Sequence, residues 1–460
     1  MSKELSSGNP YLAGPLGAVF IKTALPIIFV MGMNGAVTVI DALFLGLYVG
    51  PEALAAVTLM FPIFMLLVAL STLVSSGMAS QVARFMGGTN HEQAQAAFVG
   101  AHGLAWFICA LLISGFALFG ADMALLFAGG SAELGDMGHL YMRILIFWSP
   151  LMFSLALNSD AMRCEGHLGL MAGVSLMVSL LNIVFNYLLI ARLEMGVAGS
   201  AYGTILAQCV ALACVLAYRT WGTTQLRLTA FGRHAFTGFW RPTLALGLPP
   251  SLSFLGVSLI SAAILTALQM VDSPTYADTV TAYGIITRVS TFVFLPLLGL
   301  SHAMQAVVGN NFGAQLWQRS NRGLGLGIAS AFAYCLLMQA GLTFFAGPIG
   351  RLFVADAAVI GEIERIMPVM VALLAIGGPL MMLSSYFQAI GKAAQAAILG
   401  LVKPYLFAIP LVFLMPIGFG EPGIWLAGPV AELCLLALTA ATLAHTSQRQ
   451  GLRWGLFRQA

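Results

Sequence analysis

Charge is what this chain has least of. Of its 460 residues only 8% are charged, against 60% hydrophobic, whereas soluble globular domains carry about a quarter charged residues. Mean hydropathy is +0.93. That scarcity excludes a water-soluble globular domain. In a chain mostly immersed in lipid, the net charge of +3 points to no nucleic-acid partner. Cysteine is scarce as well. The six residues (Cys109, Cys164, Cys209, Cys214, Cys335, Cys434) are scattered, five of them in apolar stretches, with no CxxC pair or ligand spacing. They read as small core hydrophobes, and neither disulfides nor a metal site is expected. Catalytic signatures are missing too. There is no GxxxxGK[ST], HExxH or GxSxG, and no acid cluster suited to magnesium. This argues against ATP-driven transport through this chain and against a membrane enzyme, and no cofactor is expected.

What the chain does have is long apolar runs. Stretches of 18 residues or more indicate membrane-spanning helices. Twelve are read, near 17–47, 54–83, 95–120, 138–163, 168–192, 196–219, 242–271, 278–308, 324–347, 366–390, 394–416 and 423–445. The N-terminal MSKELSSGNPYLAGPLG is polar and lacks a cleavable signal, so the first span is expected to serve as an uncleaved one. Basic residues such as Arg84, Arg163, Arg219, Arg233, Arg319 and Lys392 fall in or beside even-numbered loops, and Lys3, Arg449, Arg453 and Arg458 lie near the termini. Odd-numbered loops carry acids, including Glu52, Asp122, Asp272, Glu362 and Glu421. By the positive-inside rule both termini are expected to be cytoplasmic.

The chain repeats itself. EALAAVTLMFPI from Glu52 aligns with DTVTAYGIITRV from Asp278, and ASQVARFMGGTNHEQA from Ala79 with QAVVGNNFGAQLWQRS from Gln305, both at an offset of 226. EGHLGLMAG at Glu165 pairs with IGKAAQAAI at Ile390 at an offset of 225. Six spans per half make the repeat parallel, so the two bundles are expected to be related by an axis along the membrane normal. The expected organisation is an N-terminal lobe at 1–218, a cytoplasmic linker at 219–241, a C-terminal lobe at 242–447 and a cytoplasmic tail at 448–460. The linker, RTWGTTQLRLTAFGRHAFTGFWR, reads equally as an amphipathic surface segment or a solvated loop.

PEALAAVTLMFPIF, MRCEGHLGLMAG, NIVFNYLLI followed by MGVAGSAYGT, FLPLLGLSHAMQAVVGNNFGA and YFQAIGKAAQAAIL, in this order across both halves, resemble the MATE (multidrug and toxic compound extrusion) transporters. The similarity leans toward the DNA-damage-inducible-F-like branch. The resemblance implies twelve helices in two pseudo-twofold six-helix bundles with a central V-shaped cavity. It also implies alternating-access antiport, in which cationic or amphipathic compounds leave as protons or sodium ions enter. A lipid-linked precursor flippase of the same superfamily is the alternative. The expected partners are small solutes and membrane lipid, and the expected state is a monomer.

Against the scarcity of charge, Asp41 in TVIDALFLG stands out. A carboxylate at membrane depth costs roughly 3 kcal/mol or more unless it faces a cavity or is neutralised. Asn34, Thr38 and Asp41 share one helix face. Asn182 and Asn186 on the fifth span, and Ser200, Thr204 and Gln208 on the sixth, follow the same four-residue spacing, and Tyr141 opens the fourth with Arg143. Asp41, Asn182, Asn186 and Thr204 are the ion-coupling candidates, and Asn34, Thr38, Tyr141, Ser200 and Gln208 line the expected substrate cavity. Adding 226 carries Asp41 to Ala267 and Asn182 to Ala408, so the second half lacks this set, and the asymmetry favours function over helix gluing. Pro26 matches the family's hinge by resemblance. The family pattern N-I-x-x-D reads Asn182-Ile-Val-Phe-Asn186 here, with an amide in place of a second acid. The coupling ion is a proton on Asp41 or, alternatively, sodium among these oxygens. Arg288, Lys403 and Glu432 are the polar residues of the second half, and Lys403 and Glu432 are candidates to pair as a structural tie.

Overall fold

The computed structural model describes residues 9–271, 275–450 and 456. Lys3, Asp272, Arg453 and Arg458 lie outside them, as does most of the expected tail. Apolar helices with every backbone bond satisfied internally are the form such sequences take in lipid, and no strand occurs among the described residues. Among the described residues, ten helices are long and apolar enough to cross a membrane unbroken. Two further crossings are bent pairs, Ala132–Phe147 with Ser149–Glu165 at 52° and Ala357–Met370 with Leu374–Ala389 at 48°, bringing the number to twelve.

The repeat extends to backbone detail. Each bent span starts with a side-chain N-cap, Ser131 accepting from the Leu134 amide and Asp356 from that of Ala358, 225 residues apart. Left-handed backbone recurs in step as well. Thr89 (φ 58°) matches Gln315 (φ 60°), Gly166 (φ 86°) matches Gly391 (φ 82°), and Glu194 (φ 52°) matches Gly420 (φ 62°). These are the residues that reverse the chain between spans. The second span departs from the sequence reading. Its first turns form a separate helix, Pro51–Leu59, and the chain breaks at Met60 because Pro62 favours a fresh helix start at Phe61.

Two compact units result. One comprises Met1–Ala13 and Leu25–Ser251, the other Gly14–Ala24 and Leu252–Ala460. The first span (Leu16–Val49) changes unit at Leu25, beside Pro26, and the seventh (Trp240–Val271) changes at Leu252, just after Pro249 and Pro250. A helical proline has no N–H for the carbonyl four residues earlier, so each change falls where the helix is weakest. The first unit's core joins Met78, Val82, Phe98, Met142 and Phe153. The second unit's core joins Leu268, Ile286, Ile363, Met367 and Trp425. Gly77 and Gly247 let backbones touch inside the first unit, since a Cβ on either would meet the Thr243 or Leu73 carbonyl.

Arg163 and Arg219, counted above among the bases in or beside even-numbered loops, are buried at 1% and 0% exposure. Arg163 pairs with Asp160 at 2.9 Å, and its carbonyl accepts the Tyr11 hydroxyl. Arg219 pairs with Glu165 and donates to Asn158 Oδ1 at 3.0 Å and Thr224 Oγ1 at 2.8 Å. Glu165 also accepts from the Gln225 and Leu226 amides at 2.9 and 3.2 Å. The linker is thereby sealed onto the first unit. Phe231 and Phe236 pack on Phe98, His102 and Trp106, with Trp106 stacked on Phe231.

Candidate ion-coupling site

Asp41 lies near the end of the first span, four residues before its helix widens into a π segment, Leu45–Val49. Asn186 closes the regular part of the fifth span, and a second π segment, Tyr187–Arg192, follows at once. The sixth span (Gly196–Trp221) packs along the fifth because only a short turn joins them. The glycine at 203 lets the two approach, since a Cβ there would strike Asn186 Oδ1.

These elements bring the four predicted coupling residues into one chain of hydrogen bonds. Asn186 donates to Asp41 Oδ1 at 2.5 Å and to Asn182 Oδ1 at 3.2 Å, and Asn182 donates to Thr204 Oγ1 at 3.0 Å. Asn182 and Asn186 are buried, while Asp41 and Thr204 are half-buried. Asn186 Oδ1 has no hydrogen-bond partner among the described residues, nor does the buried Ser200 hydroxyl. A donor on one carboxylate oxygen stabilises the charged form, and the amide that takes the second acid's place supplies it. An ion that neutralises Asp41 competes with that donor.

The predicted cavity residues divide. Tyr141 is half-buried and close enough to Asp41 for electrostatic interaction. Asn34 and Thr38 are exposed on the Asp41 helix, with the Thr38 hydroxyl returned to the Asn34 carbonyl at 3.1 Å. Gln208 is half-buried, and no hydrogen bond joins it, Asn34 or Ser200 to Asp41 among the described residues. Pro26 sits inside an unbroken helix, Leu16–Phe44, where its ring removes one rung. In the second unit Lys403 and Glu432 form an ion pair, while Arg288 is exposed and makes no ion pair among the described residues.

Sequence reasoning did not reach the π segments that flank the site or the glycine that seats Asn186. The signal for the latter was present, because a glycine one residue before Thr204 on a packed helix face marks close approach.

Comparison with known proteins places this arrangement. The MatE family model matches residues 26–188 and 249–414, one stretch in each half. The chain is 24% identical over 436 residues to the FAD transporter of Shewanella oneidensis, covering 92% of this chain and 93% of that one. It is 21% identical over 437 residues to the multidrug export protein MepA of Staphylococcus aureus, covering 92% of each. Among solved structures, an outward-facing multidrug resistance MATE transporter of the MOP superfamily superposes with a TM-score of 0.83 at 22% identity, over 95% of both chains. With a family model matched over most of its length in both halves, the chain belongs to the MatE family of membrane transporters.

Proposed function

We propose that the protein is a cation-coupled efflux antiporter that exchanges a coupling ion at Asp41 for small amphipathic, including cationic, solutes by alternating access. It resides in a bacterial inner membrane with both termini cytoplasmic. The observation that carries the reading is the hydrogen-bonded chain Asp41–Asn186–Asn182–Thr204, built around the sole acid of the first span. A carboxylate kept at membrane depth, on a helix weakened at Pro26, is a two-state element that an ion can bias. Neutralising Asp41 releases Asn186, frees the first span to rearrange about Pro26 and expels the solute outward. The solute and the ion exclude one another because one carboxylate cannot serve both.

The coupling ion is a proton in this reading. Sodium is the second reading, and the orphaned Asn186 Oδ1 favours it: with Asp41 and Thr204 it adds an oxygen to a hard-ligand set. The test is accumulation of ethidium in efflux-deficient cells expressing wild type or Asp41→Asn at matched levels, with and without sodium. Expulsion by wild type alone supports coupling through Asp41, and its sodium dependence names the ion. Equal expulsion by both variants refutes it. Expulsion by neither moves the assignment to the lipid-linked precursor flippase.

A further inference from the structure

Two of the interior ion pairs among the described residues are built differently. Arg219 and Glu165 are sealed, with side-chain exposures of 0% and 1%, and are ringed by further hydrogen bonds. That is how a structural tie is made, since a buried pair is tolerated only when its remaining donors and acceptors are satisfied. Lys403 and Glu432 make one contact with each other and no other hydrogen bond among the described residues. The Lys403 side chain is 37% exposed and that of Glu432 only 7%. Two of the three ammonium protons are left over. Lys403 stands near the middle of the 27-residue eleventh span, Ala393–Phe419. An ammonium is not left facing hydrocarbon at that depth, so its open side faces water.

Three further features surround this pair. Lys403 opens a π segment, Lys403–Ala408. The other π segments among the described residues follow Asp41 and Asn186, so all three adjoin the charged or amide groups of a membrane-depth site, where such segments concentrate. The segment is held by the seventh span. Tyr405 donates to the Leu252 carbonyl at 2.8 Å, Ser253 to that of Gly400 at 3.3 Å, and Gly256 lies against Pro404. The Glu432 carboxylate rests on Gly377, in the first turn of the helix after the tenth-span break, where a Cβ would lie 3.1 Å from Oε1. A favourable helix N-terminal dipole and the missing side chain both hold it there. Finally, the pair joins the eleventh and twelfth spans, the repeat counterparts of the fifth and sixth that carry Asn182, Asn186 and Thr204.

We propose that Lys403 and Glu432 form a solute-recognition site of the second unit, in which the Lys403 ammonium takes an anionic group, carboxylate or phosphate, of the transported molecule while Glu432 holds the lysine in position. This deepens the proposed function and rests on the transporter reading. The direction of recognition follows from exposure. An incoming ligand meets the ammonium first, and the carboxylate lies behind it. One cation serving two anions already occurs in this unit, where Arg365 bridges Glu362 and Glu421.

The test is equilibrium binding to the purified full chain in phosphatidylcholine nanodiscs, using two dyes on one xanthene skeleton, anionic fluorescein and cationic rhodamine 123. Lys403→Gln is expected to weaken fluorescein by about tenfold or more, the worth of a charge-assisted hydrogen bond, and to leave rhodamine unchanged. Glu432→Gln takes away the group that positions the ammonium and is expected to weaken fluorescein as well, though by less than Lys403→Gln. Lys403→Arg is expected to retain it. Should Lys403→Gln fail to fold with Glu432 stranded, the neutral double variant Lys403→Gln/Glu432→Gln carries the same expectation of lost fluorescein binding. No saturable fluorescein binding to wild type, or equal affinity in Lys403→Gln, overturns the proposal. So does loss of rhodamine with Glu432→Gln, which would make this a cation site. Displacement of fluorescein by phosphatidylglycerol doped into the discs also overturns it, assigning the ammonium to a lipid headgroup, whereas unchanged binding supports the solute. Binding is read without a gradient, so this result is separate from the coupling role of Asp41.

Discussion

Removing the Glu165 carboxylate should be among the most damaging single changes outside the transport site. Arg219 is fully buried, and Glu165 is its only carboxylate partner among the described residues. Glu165→Ala strands the guanidinium, and breaking a buried pair from one side costs about 3–5 kcal/mol. The folding equilibrium then shifts by roughly a hundred- to several-thousand-fold. The same change deprives the Thr224 hydroxyl and the Gln225 and Leu226 amides of an acceptor, loosening the linker. Unfolding of the purified protein in mixed micelles by increasing SDS, followed by tryptophan fluorescence, measures the loss. Trypsin should also cut faster at the exposed Arg227 and Arg233. Adding Arg219→Met removes the stranded charge and should regain part of the loss, so the two changes are strongly non-additive. Wild-type stability in Glu165→Ala, or simple additivity in the double variant, would refute the reasoning.

Two further outcomes follow from local geometry. Gly203→Ala puts a methyl group where Asn186 Oδ1 now lies, turning the amide away from Asp41. Ethidium efflux should fall by about tenfold, the worth of a charge-assisted hydrogen bond, with the SDS unfolding midpoint little changed. Undiminished efflux would remove Asn186 from the coupling site. Tyr11 is buried, and its phenol is pushed above its ordinary value by desolvation, so the folded protein keeps that proton where the unfolded chain, titrating near about 10, loses it. Stability should therefore decline as pH rises past that value. Tyr11→Phe should abolish this alkaline component while costing about 1 kcal/mol at neutral pH, as read from unfolding midpoints across pH.

The meeting of Asp41, Asn186, Asn182 and Thr204 was legible because of scarcity and spacing. A lone acid in an apolar run needs a reason, and amides four residues apart on adjacent spans joined by a short turn have to meet. The repeat was equally legible, since its loop residues Thr89 and Gln315, or Gly166 and Gly391, reverse the chain in the same left-handed way. The burial of Arg163 and Arg219 was not legible, because the positive-inside rule counts position along the chain and not burial. Glu165 lies next to a turn, and nothing local says that a linker some sixty residues later will close over it. The π segments were invisible for a different reason. Adding a residue to a helical turn changes no hydrophobic period strongly enough to read, yet it falls beside Asp41, Asn186 and Lys403. The breaks in the fourth and tenth spans escaped because the apolar pattern runs straight through Trp148 and Val371.

The central claim is that Asp41 is where the driving ion acts, and purified protein in sealed liposomes tests it without the complications of cells. Ethidium uptake would be driven by an imposed proton gradient and, separately, by an imposed sodium gradient, in wild type and Asp41→Asn. The account predicts accumulation above equilibrium by wild type under the gradient of its coupling ion, and none by Asp41→Asn under either gradient. Gradient-driven accumulation by Asp41→Asn equal to that of wild type would contradict it.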